Sequence, residues 1–600
     1  MNNIYRIIYI IILLISILLF QQGDLSHTFV SSYAYMQGHF SDFYEYNQKY
    51  LSGNDYLPII YWIFAIWSAP LFFLDLATSA DTLHHLAQIN GNSPLIHVTA
   101  IEILWFKMLL GIFFVATSYF IGKISEIINI EVNPSKKIIQ VIFITSPLAI
   151  FPIFIFSQYD IFGVFFTILG IYFLIKKRLI YFALFFSIAI SIKYFALIIF
   201  IPLLLISSKK NIEIIKLLLI GLAFTLFQFL LYWHSSVFRG EIFSLVGGKA
   251  SGATGNFFSI FNINLYIFFA YFILCLFLYR KKFKSEESRY KAIVFSPIIG
   301  YGLMFSAVVW HPQWIVLITP FFALSYIYLR DQKLQAFCDF LGMLAFIWIC
   351  VNRWPHNVDF DMSRLGALRD LIPKNILIGS DFFRPEYVYY ALPVFYAYLF
   401  SPIFIYFIKR VRCLNLGIIY VRYFLSISIF ILPAIFSISV SPSFAEKINP
   451  YAMLQFSKIQ NLSEVSKFPT GAIMRGAGIS QRILMEGNAL SALSVKFATY
   501  NRQNLGTLYI TIYDNNKKTL FYRQVNIKDI LDNKYYLLKF PKNLVVSDKI
   551  INLVIESDSE SPQNSISVWA SEYEASLMQA PYYQGAKQSN GILNLTLYFD

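Results

Sequence analysis

The sequence is poor in charged residues and in cysteine. Aspartate, glutamate, lysine and arginine make up 14% of its 600 residues, whereas hydrophobic residues make up 57%. Soluble domains carry about 25% charged residues. The composition therefore excludes a soluble globular protein and predicts a polytopic membrane protein. The four cysteines, Cys275, Cys338, Cys350 and Cys413, all lie within or beside apolar segments, so no disulfide framework is implied.

Acidic residues are fewer than basic residues, which gives the protein a net charge of +14. Such a surplus could indicate a nucleic-acid partner, but the basic residues gather in short loops between apolar runs, as in residues 176–178, 280–284, 330–333 and 409–412. This positive-inside pattern predicts that these loops face the cytoplasm and that nucleic acid is not a partner. Residues 78–94 lack lysine and arginine and are predicted on the opposite face.

The apolar runs predict about 12–14 membrane segments, beginning with a retained anchor at residues 7–20. Residues 59–76 are predicted to form a re-entrant or interfacial segment interrupted at Ser68–Pro70. The run at residues 179–206 has basic residues at both ends. We therefore predict two short helices meeting at residues 191–194, with Lys193 below the outer surface.

The stretch that follows the first segment, residues 21–58, is predicted to be an outward loop rich in tyrosine and carboxylates. Asp24 lies where the anchor leaves the bilayer, and Asp42 follows 18 positions later. A carboxylate at that depth can act as a general base while a second substrate stays in lipid. The alternative is that Asp24 only marks the membrane boundary.

The composition changes after Val440. Long apolar runs give way to short alternating segments such as SVKFATY and TLYITIYD, which are typical of β-strands. We predict a membrane module at residues 1–445 and an outward-facing soluble domain at residues 446–600, with an all-β sandwich or jelly-roll fold. This domain either binds carbohydrate through exposed aromatic side chains or forms a structural lid.

Several short motifs carry a resemblance. They are Gly23-Asp24, Tyr44, Tyr56-Leu57-Pro58, Ser157-Gln158-Tyr159-Asp160, Ser191-Ile192-Lys193-Tyr194 and His311-Pro312-Gln313. In this order they resemble the type C glycosyltransferase (GT-C) superfamily, particularly its mannosyltransferase-like bacterial branch, over residues 4–329 and more weakly to residue 412. The sequence departs from the family in its first loop, where relatives often have two closely spaced acids. The role of Asp42 and of any divalent metal therefore stays open, and no cofactor is assigned.

The resemblance implies an enzyme of the bacterial inner membrane. It would move a sugar from a polyprenyl-phosphate-linked donor to a glycan, lipid or protein acceptor on the periplasmic side. Asp24 and Asp42 would be catalytic. The expected phosphate-binding cations are Lys193, Arg239, Lys249 and Lys107, and the expected sugar- or acceptor-binding residues are Asp160, Gln158, Tyr56, His311 and Gln313.

Structural alternatives accompany three of these residues. Lys107 could extend to a membrane interface. Asp160 could orient Lys193 or bind sugar, or it could form a purely structural pair. His311 could be an interfacial histidine. For the whole protein, a lipid-linked sugar flippase or transporter is one alternative class, although the sequence shows no internal repeat and its acids gather on one face. A surface-polysaccharide ligase or polymerase is another.

Overall fold

The structure is a computed structural model that divides the chain into two compact units, Met1–Val440 and Ser441–Asp600. It describes residues 2–51, 56–88, 98–128, 136–242, 263–308, 310–354, 358, 360–369, 387–439, 458–462, 468–487, 489–500, 502, 504–530, 532–533, 535–546, 549–572, 580–585, 587–589 and 591–599. The division falls five residues before the boundary that the composition predicts.

The first unit is helical. Its α-helices are α1 (Asn2–Leu19), α2 (Gly23–Met36), α3 (Phe43–Leu51), α4 (Pro58–Phe73), α5 (Thr78–Gln88), α6 (Ala100–Ile128), α7 (Lys136–Ile144), α8 (Pro147–Ile150), α9 (Asp160–Ile175), α10 (Leu179–Ile192), α11 (Ala196–Ser207), α12 (Asn211–Leu231), α13 (Ile263–Arg280), α14 (Glu286–Ala307), α15 (Thr319–Ser325), α16 (Gln332–Arg353), α17 (Val388–Tyr406) and α18 (Leu416–Ser439). A π-helix spans Phe151–Ile155, and 3-10 helices span Pro312–Leu317 and Phe360–Leu365. Residues 236–242 are also helical.

Five of the described helices are long and apolar enough to cross a membrane: α6, α12, α14, α16 and α17. The number rises to eight if three bent pairs each form one span: α1 with α2 (64°), α4 with α5 (97°), and α7 with the segment from α8 through the π-helix (51°). Shorter apolar helices of 10–17 residues accompany them. The predicted class, a multi-pass helical protein with a C-terminal β-domain, is confirmed.

The described part of residues 21–58, the stretch predicted as an outward loop, contains the helices α2 and α3. The side chain of Gln22 accepts a hydrogen bond from the backbone N–H of Asp24 at 2.6 Å and so caps the N-terminus of α2. Leu25, Phe29 and Tyr33, spaced four residues apart on one face of that helix, are fully buried. The predicted interruption at Ser68–Pro70 is wrong, since α4 continues through it to Phe73.

The predicted break near Lys193 is confirmed. Helix α10 ends at Ile192, Lys193 is extended with φ −147° and ψ 110°, and α11 begins at Ala196. The two helices have 14 and 12 residues, so each is about 18–21 Å long. Each falls short of the ~30 Å hydrocarbon layer. Their junction therefore lies at a depth that a single continuous span would fill with apolar side chains.

A buried charge pair joins helices that the sequence does not connect. Arg422 of α18 contacts Asp339 of α16 at 2.7 Å, and both side chains are almost fully buried. The hydroxyl of Tyr326 donates to the same carboxylate oxygen at 2.7 Å, and Arg422 also donates to the carbonyls of Ile142 and Thr145 near the end of α7. This network links α7, α16 and α18. Removing either charge would leave the other buried and unpaired, which is strongly destabilising.

The second unit is all β. Its strands are β1 (Lys458–Asn461), β2 (Phe468–Pro469), β3 (Ile479–Leu484), β4 (Ala489–Ala498), β5 (Thr507–Asp514), β6 (Thr519–Asn526), β7 (Tyr535–Val545), β8 (Ile550–Ser557), β9 (Ser567–Glu572), β10 (Tyr583–Gln584), β11 (Lys587–Gln588), β12 (Gly591–Leu593) and β13 (Leu595–Phe599). One sheet has the order β1-β13-β4-β9-β12, with β2 on β9 and β7 on β4, and the other has the order β11-β10-β3-β8-β5-β6.

The two sheets share one hydrophobic core. On β8, Ile551, Leu553 and Ile555 alternate inward, and they belong to the same buried cluster as Leu493 and Val495 of β4 in the other sheet. Alternation of period two buries one face of each strand and leaves the other face free. The packing of two antiparallel sheets through their inner faces is that of a sandwich.

Candidate functional site

Asp24 lies in the first turn of α2, directly after the bend that follows α1. Its side chain is exposed. One carboxylate oxygen accepts a hydrogen bond from the amide of Gln22 at 3.1 Å, and the other accepts one from the amide of Gln158 at 3.4 Å. The carboxylate also lies in the first turn of α2, at the positive end of the helix dipole. Asp24 is thus an oriented and accessible carboxylate.

Gln158 reaches Asp24 because the backbone before α9 is unusual. The π-helix Phe151–Ile155 is followed by Ser157 in the left-handed region with φ 60°, a conformation that non-glycine residues rarely adopt and that stores strain. The N–H of Gln158 then donates to the carbonyl of Pro152 at 2.9 Å. This tight turn places Gln158 against α2 and puts Asp160 in the first turn of α9.

Asp160 and Lys193 form a buried ion pair. The Lys193 ammonium lies 3.2 Å from a carboxylate oxygen of Asp160, and the two side chains are 6% and 1% exposed. The ammonium also lies over the rings of Tyr56 and Tyr159, 4.6 and 5.7 Å from their centroids. Ion pairing and cation–π attraction together compensate a charge that is removed from water. Of the two alternatives for Asp160, its burial favours orienting Lys193 over contacting a sugar.

Tyr56 connects the two parts of the site. Its carbonyl accepts a hydrogen bond from the Tyr44 hydroxyl at 2.7 Å, and its ring meets Tyr159 edge-on at 5.5 Å. Burial is the largest influence on the phenol and raises its pKa; nearby Lys193 acts in the opposite direction, while Asp24 and Asp160 also raise it. Tyr56 therefore stays a neutral hydrogen-bond donor at physiological pH. We refer to Asp24, Tyr56, Gln158, Asp160 and Lys193 as the acid–cation cluster.

The structure places Asp42 and Arg239 in other contacts. Asp42 is exposed and pairs with the ring of His39 at 2.9 Å. Arg239, in the helical residues 236–242, donates to the carbonyl of Trp233 and lies over its ring at 5.8 Å. No hydrogen bond among the described residues joins Asp42 to Asp24. Lys249 lies outside the described residues.

Lys107 has a structural environment that the sequence does not reveal. It is 2% exposed, and its ammonium donates to the carbonyls of Ile17 at 2.7 Å, Phe154 at 3.3 Å and Phe20. These contacts use the three N–H donors of a lysine and tie the end of α1 to the π-helix. The expected role in phosphate binding is therefore corrected, and so is the alternative of a lysine that extends to an interface.

His311 and Gln313 lie at the 3-10 helix Pro312–Leu317. The exposed ring of His311 contacts Trp314 and stacks near Trp354, with centroid distances of 5.1 and 5.8 Å. Gln313 is 4% exposed, and its side-chain oxygen has no hydrogen-bond partner in the structure. The same 3-10 helix reaches the Lys193 junction, because Trp314 contacts Phe195 at 4.3 Å. Both residues therefore lie at a helix that packs against the junction that holds Lys193.

Sequence reasoning missed Gln22 and Tyr159 as members of the site. Gln22 binds the Asp24 carboxylate and caps α2, and Tyr159 covers Lys193 and pairs with the hydroxyl of Thr28 at 3.3 Å. A polar side chain two positions before Asp24 was an available signal for a helix cap. Among the described residues, no three histidine, cysteine, aspartate or glutamate side chains lie together as metal ligands, so no ligand set is assigned.

Comparison with known proteins does not place the chain in a family. No protein-family model and no curated protein matches it. Among solved structures it is similar to the cryo-EM structure of arabinosyltransferase EmbB from Mycobacterium smegmatis, at 12% sequence identity and a TM-score of 0.30. The similarity covers 78% of this chain and 57% of the length of that one. A likeness at this TM-score carries no argument about the chemistry.

Proposed function

We propose that the protein is a membrane glycosyltransferase that transfers a hexose from a polyprenyl-phosphate-linked donor to a hydroxyl of a glycan, lipid or protein acceptor. The observation that carries the proposal is the acid–cation cluster. It combines an exposed carboxylate, Asp24, with a buried cation, Lys193, through the single turn that holds Gln158 and Asp160. Four of the sequence motifs that resemble the mannosyltransferase-like GT-C branch contribute residues to this cluster.

The proposed reaction begins with Asp24 taking the proton of an acceptor hydroxyl. The freed oxygen lone pair forms a bond to the anomeric carbon of the donor sugar. The bond from that carbon to the phosphate oxygen breaks, and its electrons leave with polyprenyl phosphate. Hydrogen bonds from the amides of Gln22 and Gln158 orient the Asp24 carboxylate. Attack opposite the leaving phosphate inverts the anomeric configuration.

Lys193 is the proposed partner of the departing phosphate. A positioned cation of low solvent exposure stabilises negative charge that develops on a leaving group more strongly than an exposed cation does. Asp160 is a positioning residue, because it fixes the ammonium at the junction of α10 and α11. Tyr56, with its neutral hydroxyl, is proposed to bind donor or sugar. Arg239 and Lys249 stay secondary candidates for the phosphate.

The test of Asp24 is donor turnover by the purified protein. Polyprenyl-phosphate sugars are incubated with the protein in detergent or nanodiscs, and both free polyprenyl phosphate and glycosylated acceptor are measured. Asp24→Asn should retain donor binding and lose transfer. Asp42→Asn is the matched control, since Asp42 is also an exposed carboxylate of this region but pairs with His39. Equal turnover by Asp24→Asn and wild type would refute Asp24 as the base.

Lys193 has its own test. Lys193→Arg keeps the charge and should retain more donor use than Lys193→Ala, since only the first can still contact phosphate. A flippase would move the lipid-linked sugar across a vesicle membrane without releasing polyprenyl phosphate. Transport without bond cleavage would therefore assign the cluster to that class, while transfer of preassembled chains would identify a ligase or polymerase.

The proposed location is the bacterial inner membrane, with the cluster and the β-domain on the periplasmic side, as the basic loops indicate. We further propose that the β-domain binds carbohydrate. Its exposed aromatic side chains include Tyr500, Tyr522 and Tyr583, at 46%, 52% and 41% exposure, and such rings can stack on sugars. Glycan-array binding that disappears in Tyr→Ala variants would support this; unchanged binding would exclude these rings.

A further inference from the structure

A pocket of about 740 Å³ lies between the beginning of α14, the segment that joins α15 to α16, and the end of α17. Its charged lining consists of Lys291, Arg330 and Lys409 with one carboxylate, Glu287. None of these residues belongs to the acid–cation cluster. The excess of cations predicts an anionic ligand.

One of the three cations is already compensated. The ammonium of Lys291 lies 2.7 Å from Glu287 and over the rings of Tyr328 and Tyr406, at 5.6 and 5.7 Å from their centroids. Arg330 and Lys409 are exposed at the pocket, and the ion pairs of the described residues include neither. Two positive charges are thus available for a ligand.

The pocket also contains an unsatisfied polar group. Tyr328 is one of the residues that line it, and the hydroxyl of Tyr328 is buried without a hydrogen-bond partner among the described residues. A buried hydroxyl without a partner carries a desolvation cost of about 1–3 kcal/mol. A phosphate oxygen bound between Arg330 and Lys409 would supply the missing acceptor, which a purely apolar ligand would not.

The pocket edge is apolar on the side of α17. Phe407 and Val411, which both line the pocket, are 75% and 67% exposed. Inorganic phosphate has no apolar part that could pack against this edge, whereas the acyl chains of a phospholipid could pack there. The basic residues 330–333 and 409–412 also predict that this end faces the cytoplasm, where the membrane surface is anionic.

We propose that this pocket binds the phosphate group of an anionic phospholipid from the cytoplasmic leaflet. Arg330 and Lys409 would pair with the phosphate, Tyr328 would donate its hydroxyl, and the acyl chains would lie along Phe407 and Val411. The inference is independent of the proposed transfer reaction, because it depends on other residues.

Cys413 provides the test, since this exposed cysteine lines the pocket. In a variant with alanine at the other three cysteines, the rate of maleimide labelling of Cys413 is measured in phosphatidylcholine nanodiscs, with and without anionic phospholipid. Bound lipid should slow labelling about tenfold when its concentration is about ten times its dissociation constant. No slowing would overturn the proposal.

Three double variants make the result specific. Arg330→Gln with Lys409→Gln should abolish the protection, and Arg330→Lys with Lys409→Arg should retain it. Lys282→Gln with Lys284→Gln removes the same charge from the same predicted face outside the pocket and should leave protection unchanged. Protection that survives in the first double variant would refute the site. Equal protection by inorganic phosphate in phosphatidylcholine nanodiscs would assign the pocket to a soluble phosphate and overturn the lipid proposal.

Discussion

Replacing Asp160 by asparagine should destabilise the membrane unit through Lys193. The change keeps the shape of the side chain and removes the charge that lies 3.2 Å from the ammonium. Lys193 would then be an unpaired cation at 6% exposure. An exposed ion pair contributes about 0–1 kcal/mol to the free energy of unfolding. The pair of Asp160 and Lys193 is buried, so this small value does not apply to it.

The contacts of Asp160 and Lys193 determine how much stability the substitution should remove. Removing one partner of a buried ion pair costs about 3–5 kcal/mol. The rings of Tyr56 and Tyr159 stay within 4.6 and 5.7 Å of the ammonium and retain about 1–2 kcal/mol of cation–π attraction. We therefore expect Asp160→Asn to lower the free energy of unfolding by about 1–4 kcal/mol. Adding Lys193→Met removes both charges and should recover at least about 1 kcal/mol of the loss.

The assay is unfolding in mixed detergent micelles followed by tryptophan fluorescence, with the wild type, both single variants and the double variant measured together. A double variant that is less stable than Asp160→Asn alone would refute the pairing. So would an Asp160→Asn protein of unchanged stability. If the proposed role of Lys193 holds, the double variant should regain stability without regaining donor turnover, which separates folding from chemistry.

Three further predictions follow from the same structure. Asp24→Asn should reduce single-turnover transfer by about 10²-fold or more, whereas Asp42→Asn should leave it within a few-fold, and equal losses would contradict the distinction between them. Arg422→Gln should lower the free energy of unfolding by about 3–5 kcal/mol, because the buried carboxylate of Asp339 loses a 2.7 Å contact. The additional substitution Asp339→Asn should restore part of the lost stability. Gly342→Ala would bring a methyl group within 2.4 Å of the Tyr398 ring and should cost about 1–3 kcal/mol in the same unfolding assay, while Gly111→Ala, with no atom within 4 Å, should be neutral.

Some predictions from the sequence depended on local signals and were confirmed. The membrane class follows from the free energy of moving apolar side chains out of water, which depends on residue type alone. The junction at Lys193 followed from basic residues at both ends of one apolar run. The β-domain followed from alternation of period two. The helices α2 and α3 within residues 21–58 were not predicted. Their sequence is rich in polar and aromatic residues, so the buried face formed by Leu25, Phe29 and Tyr33 was not evident.

Other properties depended on contacts between distant positions. Asp24 and Asp42 look equivalent in the sequence, yet only Asp24 meets Gln158, which is 134 residues away. Lys107 looks like a ligand-binding cation, yet it binds carbonyls at the end of α1, 87 and 90 residues away.

By itself the sequence determined the solvent of each segment, which is lipid for the long apolar runs and water for the β-domain. It also showed that Lys193 occupies an unfavourable position within an apolar run. Only the tertiary structure decided which charges meet, because that depends on the 64° bend between α1 and α2 and on the left-handed turn at Ser157. Hydropathy records the free energy of transfer residue by residue, whereas an ion pair forms only when packing brings two particular atoms within a few ångströms of each other.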